Sequence, residues 1–528
     1  MRSPADWPTR DLLTHRRETS PEKTAVIDAD ADSDERWSYR EFDRRVDRVA
    51  SALESALGTQ RRDTPRSNAS ASPDRVAVLM ETRPAFASLV FAAMRTGRVL
   101  VPLNVRETPS ELASKLERTA PEAVICERET ETQAVSSTDR PIFSVDDPTD
   151  STPEPVRPLF RGIEGEATAP DPVSLERDDP FLLLFTSGTS GEPKGVRLTV
   201  GNLVASATAS AFRLGVLPSD RWLCCLPMYH MGGLAPVLRS ALYGTPLVIQ
   251  REFDPDATAR VVDGYDITGI SLVPTMLARM LEAGWSEPDS LRFVLLGGAP
   301  ASNELLERAR DAGVPAYPTY GMTEAASQIS TATPEQTRSH EGTVGQPLAV
   351  TDVTIVDEAG DPDAPGEPGE IVVSGPTVTP GYLEETHTNA AFGADGLHTG
   401  DIGYRDRDGR LWVLNRRSDR IVTGGENVDP GEVADVLQAH PQVEETAVVG
   451  LSDPEWGERV GVLVVPNEPT AVSTDDLLEF CGGRLAGFKQ PKTIGVTDSL
   501  PRTASGTVDR EDVREFLREE GTDAASLE

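Results

Sequence analysis

The chain reads as an α/β protein. A large N-terminal domain of parallel-sheet α/β subdomains runs into a β-rich, barrel-like subdomain, and a small C-terminal α/β domain follows. Three observations predict this. Short apolar runs alternate with amphipathic stretches up to Val356, the pattern of βαβ units on a parallel sheet. Short strands bounded by turns then replace the alternation. Beyond Arg416 it returns in a compact form, which sets the domains at residues 1–416 and 417–528.

Residues near Thr19 to Glu54 read as a small strand, a turn at Trp37-Ser38-Tyr39-Arg40, and a helix whose apolar face carries Phe42, Val46, Val49 and Leu53. Arg75–Met80, Val99–Leu103 and Ala123–Cys126 follow as strands, with Pro84–Arg95 as a helix between the first two. Asn68–Ser72 and Asp146–Asp179 lack periodicity and are rich in Pro, Asp, Ser and Glu, so they read as insertions or linkers. Apolar strands resume at Phe181–Phe185, Leu247–Ile249, Gly269–Val273 and Phe293–Leu296. In the β-rich stretch, Ile371–Val373 is a strand and Asp408-Gly409 predicts a two-residue hairpin turn between Tyr404 and Leu411. The last domain reads as a helix at Gly431–His440, strands at Glu445–Gly450 and Val460–Val465, and a helix at Thr474–Leu485.

Composition narrows the function classes. The chain has 528 residues, enough for about three domain cores. None of its apolar runs approaches the roughly 20 residues that cross a bilayer. Met1-Arg2-Ser3-Pro4-Ala5-Asp6-Trp7 has no apolar core ahead of a cleavage site, so a cytoplasmic protein is expected. Cys126, Cys224, Cys225 and Cys481 have no C-x-x-C spacing and read as buried free thiols, so no zinc site is indicated. The net charge of −35 is spread along the chain, and lysine occurs only at Lys23, Lys115, Lys194, Lys489 and Lys492. That balance is similar to halophile proteins, in which high salt screens the self-repulsion of an acidic coat. It argues against nucleic acid as a partner, whose backbone needs a cationic face. Homo-oligomerisation stays open.

The strongest local signal is Leu184-Phe185-Thr186-Ser187-Gly188-Thr189-Ser190-Gly191-Glu192-Pro193-Lys194-Gly195. A buried strand opens into hydroxyls and glycines and ends in one lysine. Glycines let backbone N–H groups approach phosphate oxygens, Thr and Ser add neutral donors, and Lys194 adds a point charge. Pro193 precedes the lysine and no Gly-Lys-Ser/Thr occurs, so this is not the Walker pattern.

With that loop, the ordered set Tyr320-Gly321-Met322-Thr323-Glu324, Thr399-Gly400-Asp401, Asn415-Arg416, Gly424-Gly425-Glu426-Asn427 and Pro501-Arg502-Thr503-Ala504-Ser505-Gly506 resembles the adenylate-forming superfamily of acyl-CoA synthetases, adenylation domains and luciferases. The resemblance spans nearly the whole chain. It implies an ATP-dependent acid:CoA ligase that forms an acyl-adenylate and passes the acyl group to coenzyme A. It also implies that the C-terminal domain is mobile, turning about Ser418 between half-reactions.

By this resemblance Thr323 hydrogen-bonds the α-phosphate, Glu324 ligates Mg²⁺, Tyr320 packs on the adenine, and Gly321 and Met322 belong to the same ATP-binding run. Asp401 binds the ribose hydroxyls, and Arg416 pairs with ribose or phosphate. Mg²⁺ suits hard oxygen ligands and phosphates. Gly297-Gly298-Ala299-Pro300 follows a buried strand and reads equally as the lining of the adenine and acyl pockets or as a strand-to-helix turn. His230 is implied as a gate at the acyl pocket, with Ser327 in its lining; together with Thr323, Glu324 and Arg416 it completes the catalytic set. Gly424, Gly425 and Glu426 resemble the loop that lines the pantetheine tunnel. Lys489 and Lys492 read either as a site for CoA phosphates or as solvated surface.

Two features refine the reading. Tyr229-His230-Met231-Gly232-Gly233-Leu234, Leu295-Leu296-Gly297-Gly298-Ala299-Pro300 and Gly321-Met322-Thr323-Glu324-Ala325-Ala326-Ser327-Gln328 are most similar to the o-succinylbenzoate:CoA ligases of menaquinone biosynthesis. Their substrate carries a second carboxylate, for which Arg239 is the candidate partner, since an arginine fork matches a carboxylate. On position alone Arg239 reads equally as an exposed helix residue. A fatty or simple aromatic acid is the alternative substrate. The second feature is a departure. The family ends its last signature in Ser-Gly-Lys, and this chain has Ser505-Gly506-Thr507. Loss of one preorganised transition-state donor costs on the order of 10² to 10³ in rate. Arg502 and Arg510 are candidate substitutes, and an adenylate-binding protein without catalysis is the alternative of another class.

Overall fold

The computed structural model describes all residues except 1–7, 31–34, 59–73, 162–169, 187–192, 287–289, 358, 417–420, 424–425, 429, 455, 468–471, 483, 486, 504–506 and 524–528. Asn68–Ser72 therefore lies outside the described residues. The chain divides into two units, Met1–Val353 with Val373–Leu397, and Thr354–Val372 with His398–Glu528. This is a different cut from 416/417: it groups Thr354–Val372 and His398–Arg416 with the C-terminal residues.

The first unit holds two sheets of mainly parallel strands. One runs in the order Gln346–Pro347, Ser327–Thr331, Ala316–Met322, Phe293–Leu296, Gly269–Leu272, Trp222–Cys224, Leu247–Ile249, Thr24–Asp28, Arg36–Ser38. The strands from Ala316–Met322 to Thr24–Asp28 pair in parallel, and the edges are antiparallel. The other sheet runs Arg157–Pro158, Ile142–Ser144, Ala123–Cys126, Arg75–Leu79, Val99–Leu103, Pro180–Thr186, Lys194–Thr199. Its only antiparallel pair among the described residues is the final hairpin.

Central strands such as Val99–Leu103 and Ala123–Cys126 are buried at every residue. They therefore read as continuous apolar runs rather than alternating ones. The helix Tyr39–Leu57 begins where Ser38 and Glu41 form a reciprocal capping box and lays Phe42, Val46, Val49 and Leu53 into the core. All four cysteines are buried and free.

The second unit carries much of the β-rich stretch and a six-stranded sheet. In the latter, Gly457–Pro466 pairs antiparallel with Val443–Asp453 and parallel with Thr493–Val496. Val433 and Leu437 of the helix Pro430–Gln438 pack against Val448, Val460 and Val462. The expected two-residue turn at Asp408-Gly409 is corrected. Asp406 N donates to Arg410 O at 3.0 Å, which leaves the three residues Arg407, Asp408 and Gly409 in the loop. The Asp406 carboxylate accepts from the N–H groups of Asp408 and Arg410, and Gly409 takes φ 79°, the left-handed position of a three-residue hairpin loop.

Candidate active site

The phosphate-loop candidate sits on the hairpin of Pro180–Thr186 and Lys194–Thr199, whose register places Phe185 opposite Gly195 and Thr186 opposite Lys194. Ser187, Gly188, Thr189, Ser190 and Gly191 lie outside the described residues. Both arms of the hairpin are held from the helix Pro109–Thr119. Arg118 Nη1 donates to Pro193 O at 2.8 Å, and its guanidinium lies 5.3 Å from the Phe185 ring centroid. Arg118 Nε and Nη2 donate to Glu384 Oε1 at 2.9 and 2.7 Å, and Lys115 Nζ lies 5.0 Å from the Phe185 ring.

Tyr320, Gly321 and Met322 end the strand Ala316–Met322, and Thr323-Glu324-Ala325 makes one tight helical turn before the chain returns as Ser327–Thr331. The reversal is too close for a side chain at Gly321, where a Cβ would stand 1.8 Å from Ser327 O. Ala326 and Ser327 take φ 52° and 114°, left-handed values that a non-glycine residue adopts at a cost. Ser206 Oγ donates to Ala326 O at 2.7 Å and fixes the first of them.

Glu324 is 6% exposed. Its carboxylate Oε1 accepts from Tyr382 Oη at 3.0 Å, and its carbonyl accepts from Thr379 N at 2.7 Å. Burial and the Glu324 charge push the Tyr382 hydroxyl well above its ordinary range, so it stays protonated and donates. Lys194 Nζ lies 5.7 Å from the Tyr382 ring centroid. One side chain thus stands between Lys194 and the Glu324 carboxylate.

Gly297, Gly298, Ala299 and Pro300 follow the C-terminal end of Phe293–Leu296, beside the strand of Tyr320. In open α/β sheets ligands bind at that end of the strands. A Cβ at Gly297 would lie 2.7 Å from Thr319 Cγ2, and Gly298 has φ 84°, so both positions favour glycine.

His230 is the residue before the helix Met231–Tyr243, and Arg239 lies within it. His230 Nε2 is buried with no hydrogen-bond partner among the described residues. Burial, with Lys115 and Arg106 nearby, pushes its pKa down to about 4, so the imidazole is neutral. Arg239 is 2% exposed, not an exposed helix residue, and its Nε and Nη2 meet no partner among the described residues. Burial lowers its pKa. Arg239 lines a cavity with Ser206, Met231, Ala235 and Ala326, so the arginine and the turn that ends in Ser327 border one space.

In the second unit, Asp401 is 5% exposed and stands opposite Arg416 in the antiparallel pairing of Gly396–Arg405 with Leu411–Arg416. Asp401 N donates to Thr399 Oγ1 at 3.1 Å, and Gly400, with φ 73°, donates to Glu370 Oε1 at 3.2 Å. The Arg416 side chain, Ser418, Gly424, Gly425 and the Glu426 side chain lie outside what is described. Lys489 Nζ donates to both oxygens of Glu432, at 2.7 and 2.6 Å. Thr507 shares a hydroxyl–hydroxyl hydrogen bond of 2.8 Å with Thr503, and Arg502 Nη2 donates to Glu445 Oε1 at 2.7 Å.

Thr186 pairs with Lys194, and Tyr382 links Lys194 to Glu324; separately, Arg239 shares a small cavity with Ala326, the residue before Ser327. Sequence reasoning missed Arg118, Tyr382 and Glu384. Their partners are distant in the chain, with Tyr382 and Glu324 58 positions apart, and no local pattern marks them.

The chain belongs to the AMP-binding enzyme family: that family's model matches residues 13–383, and the AMP-binding enzyme C-terminal domain matches residues 432–507. Among relatives it is 35% identical to the 2-succinylbenzoate--CoA ligase of Bacillus cereus over 510 residues, covering 96% of this chain and 98% of that one. Among solved structures it resembles the o-succinylbenzoate CoA synthetase of Bacillus subtilis in complex with the acyl-adenylate intermediate OSB-AMP. The TM-score is 0.85 at 33% identity, covering 97% of this chain and 99% of that one. The same synthetase with ATP and magnesium ion gives a TM-score of 0.84 at 33% identity, covering 96% and 99%. Among the described residues no helix is long and apolar enough to cross a membrane.

Proposed function

We propose that the chain is an AMP-forming acid:CoA ligase that converts o-succinylbenzoate to o-succinylbenzoyl-CoA, with ATP, Mg²⁺ and coenzyme A. The observation that carries the substrate is Arg239. A buried guanidinium with two unpartnered nitrogens is costly unless an anion completes it. It borders a cavity of about 10 Å³ beside Ala326, room for about one water, so a second carboxylate of the acid meets this fork of donors only when the lining side chains move aside. A fatty acid has no use for such a cation.

Adenylation brings a carboxylate and a triphosphate together, so positioning and charge neutralisation do the work. In this reading Thr186, Ser187, Gly188, Thr189, Ser190, Gly191 and Lys194 hold the β- and γ-phosphates and Thr323 the α-phosphate. Tyr320, with Gly298, Ala299 and Pro300, flanks the adenine. The donors available at the turn, the Glu324 carboxylate and the Thr323 hydroxyl, are hard oxygens and fit Mg²⁺. The metal, when bound there, supplies charge neutralisation at the phosphates. Neutral His230 closes the acyl side without adding a cation. Asp401 and Arg416 serve the ribose.

The remaining parts of the reading rest on family likeness: domains at 1–416 and 417–528, a hinge at Ser418, CoA contacts at Gly424, Gly425, Glu426 and Lys489, and a cytoplasmic location, with homo-oligomerisation compatible. Lys489 already faces Glu432, so a CoA phosphate would have to compete with that carboxylate. The test is to incubate the protein in high KCl with ATP, Mg²⁺, CoA and either o-succinylbenzoate, octanoate or benzoate, and to follow AMP and acyl-CoA by mass spectrometry. Selective o-succinylbenzoyl-CoA is expected. Turnover of the simple acids alone removes the substrate assignment, and ATP binding without any product leaves a non-catalytic adenylate-binding protein.

A further inference from the structure

The segment from Thr379 to Glu384 runs along the return strand of the phosphate hairpin. Leu383 N donates to Gly195 O at 2.6 Å, Arg197 N donates to Gly381 O at 3.1 Å, and Tyr382 bridges Val196. The same segment reaches the turn of Glu324 through Thr379 N, which donates to Glu324 O at 2.7 Å. Tyr382 adds the side-chain link: its ring lies 5.7 Å from Lys194 Nζ, within cation–π range, and its hydroxyl donates to Glu324 Oε1 at 3.0 Å. It is 4% exposed and Glu324 is 6% exposed, so neither end of this bond exchanges freely with water.

We propose that Tyr382 is a positioning residue for adenylation: it fixes the Glu324 carboxylate in register with Lys194, so that the metal-binding and phosphate-binding groups meet MgATP as one preset unit. The proposal rests on the ligase reading. A glutamate side chain has three torsions to fix, and a second group hydrogen-bonded to a metal-ligating carboxylate fixes it before the metal arrives. Nothing else about Tyr382 requires the hydroxyl, because its ring packs in the core and its backbone holds the edge pairing.

The test is Tyr382→Phe, which keeps the ring beside Lys194 and removes the hydroxyl alone, compared with Tyr382→Leu, which removes both. ATP binding is measured by calorimetry in EDTA and across a Mg²⁺ series, with melting temperature as the control for folding. Tyr382→Phe is expected to leave the metal-free affinity unchanged and to weaken the Mg²⁺-dependent increment by roughly 10- to 100-fold, the usual effect of losing a group that orients a metal ligand. Tyr382→Leu is expected to weaken metal-free binding as well. Thioester formation from preformed acyl-AMP is expected to stay at the parent rate in Tyr382→Phe. An unchanged Mg²⁺ increment in a folded Tyr382→Phe overturns the proposal and leaves the ligase reading intact. A parent protein that makes no acyl-AMP, with any acid, overturns the ligase reading and the proposal with it.

Discussion

The guanidinium of Arg239 lies 6.0 Å from the ring centroid of Trp222, fully buried, with Nε and Nη2 unpartnered among the described residues. A hydrogen bond to a charged group contributes about 1.5–3 kcal/mol. Arg239→Met is therefore expected to raise KM for o-succinylbenzoate by roughly tenfold to a hundredfold, and to leave KM for ATP unchanged. Because two unpartnered nitrogens on a buried charge burden the apo fold, the same variant is expected to melt at a higher temperature. Steady-state kinetics and thermal melts on one preparation check both. A loss of stability together with an unchanged KM would return Arg239 to a structural role.

His230 gives a pH signature. Its pKa is pushed down to about 4 by burial, with Lys115 and Arg106 adding to the shift, against about 6.5 in the unfolded chain. A depressed folded pKa means that the unfolded state takes up the proton first as pH falls. The stability contribution is therefore complete above pH ~6.5 and is lost between about 6.5 and 4, on the order of 3 kcal/mol in all. His230→Gln is expected to lose less stability than the parent across that window, measured by denaturant unfolding at several pH values. An equal pH slope in both proteins would show that the imidazole is not held neutral.

Fully buried apolar runs told most about the fold. Val99–Leu103, Ala123–Cys126, Leu247–Ile249 and Phe293–Leu296 have the same bounds in sequence and structure, because a central parallel strand is apolar on both faces and is cut off sharply by polar or turn residues. The hairpin at Asp408-Gly409 was legible as a hairpin but not in its loop length, which the Asp406 carboxylate sets by taking two N–H groups. In the candidate site, the Tyr320–Glu324 run was legible as a strand ending in a turn because its residues are contiguous, while residues 187–191 of the candidate phosphate loop lie outside the described residues. Arg118 and Tyr382 were not legible, since what they do depends on pairing across 75 and 58 residues. The burial of Arg239 was equally hidden, because position on a helix does not say which neighbour covers it.

Among the described glycines of the candidate site, Gly321 tolerates a side chain least. A Cβ there would meet a backbone oxygen at 1.8 Å, and the Ser327 backbone already has φ 114°, so neither side can give way cheaply. Gly321→Ala is expected to destabilise the protein by about 1–3 kcal/mol or more and to abolish measurable ATP binding by displacing Thr323 and Glu324. Gly298→Ala, where the nearest atom is Val273 Cγ1 at 3.3 Å, is expected to be milder despite its positive φ. Melting temperatures and nucleotide titration of the two variants give the comparison, and equal effects would show that the turn is not held by this close approach.

By its resemblance to the family's last signature, Thr507 takes the place of a lysine that the resemblance implies in adenylation. It closes a small loop in which Thr503 N donates to Thr507 O at 2.8 Å, the two hydroxyls bond at 2.8 Å, and Arg502 pairs in a bridge with Val508. Replacing an exposed threonine there removes its hydroxyl bond with Thr503, worth about 1 kcal/mol, and leaves the backbone pairing in place. Arg502 is a weak substitute for the lysine, because its Nη2 is engaged by Glu445. Thr507→Lys is therefore expected to accelerate acyl-AMP formation by as much as about 10² to 10³, while thioester formation from preformed acyl-AMP changes little. Pyrophosphate release and single-turnover thioester formation separate the two steps. Acceleration confined to the first step places the deficit at this residue. Equal effects on both steps would remove Thr507 from adenylation, and no effect on either would mean that another cation already does the lysine's work.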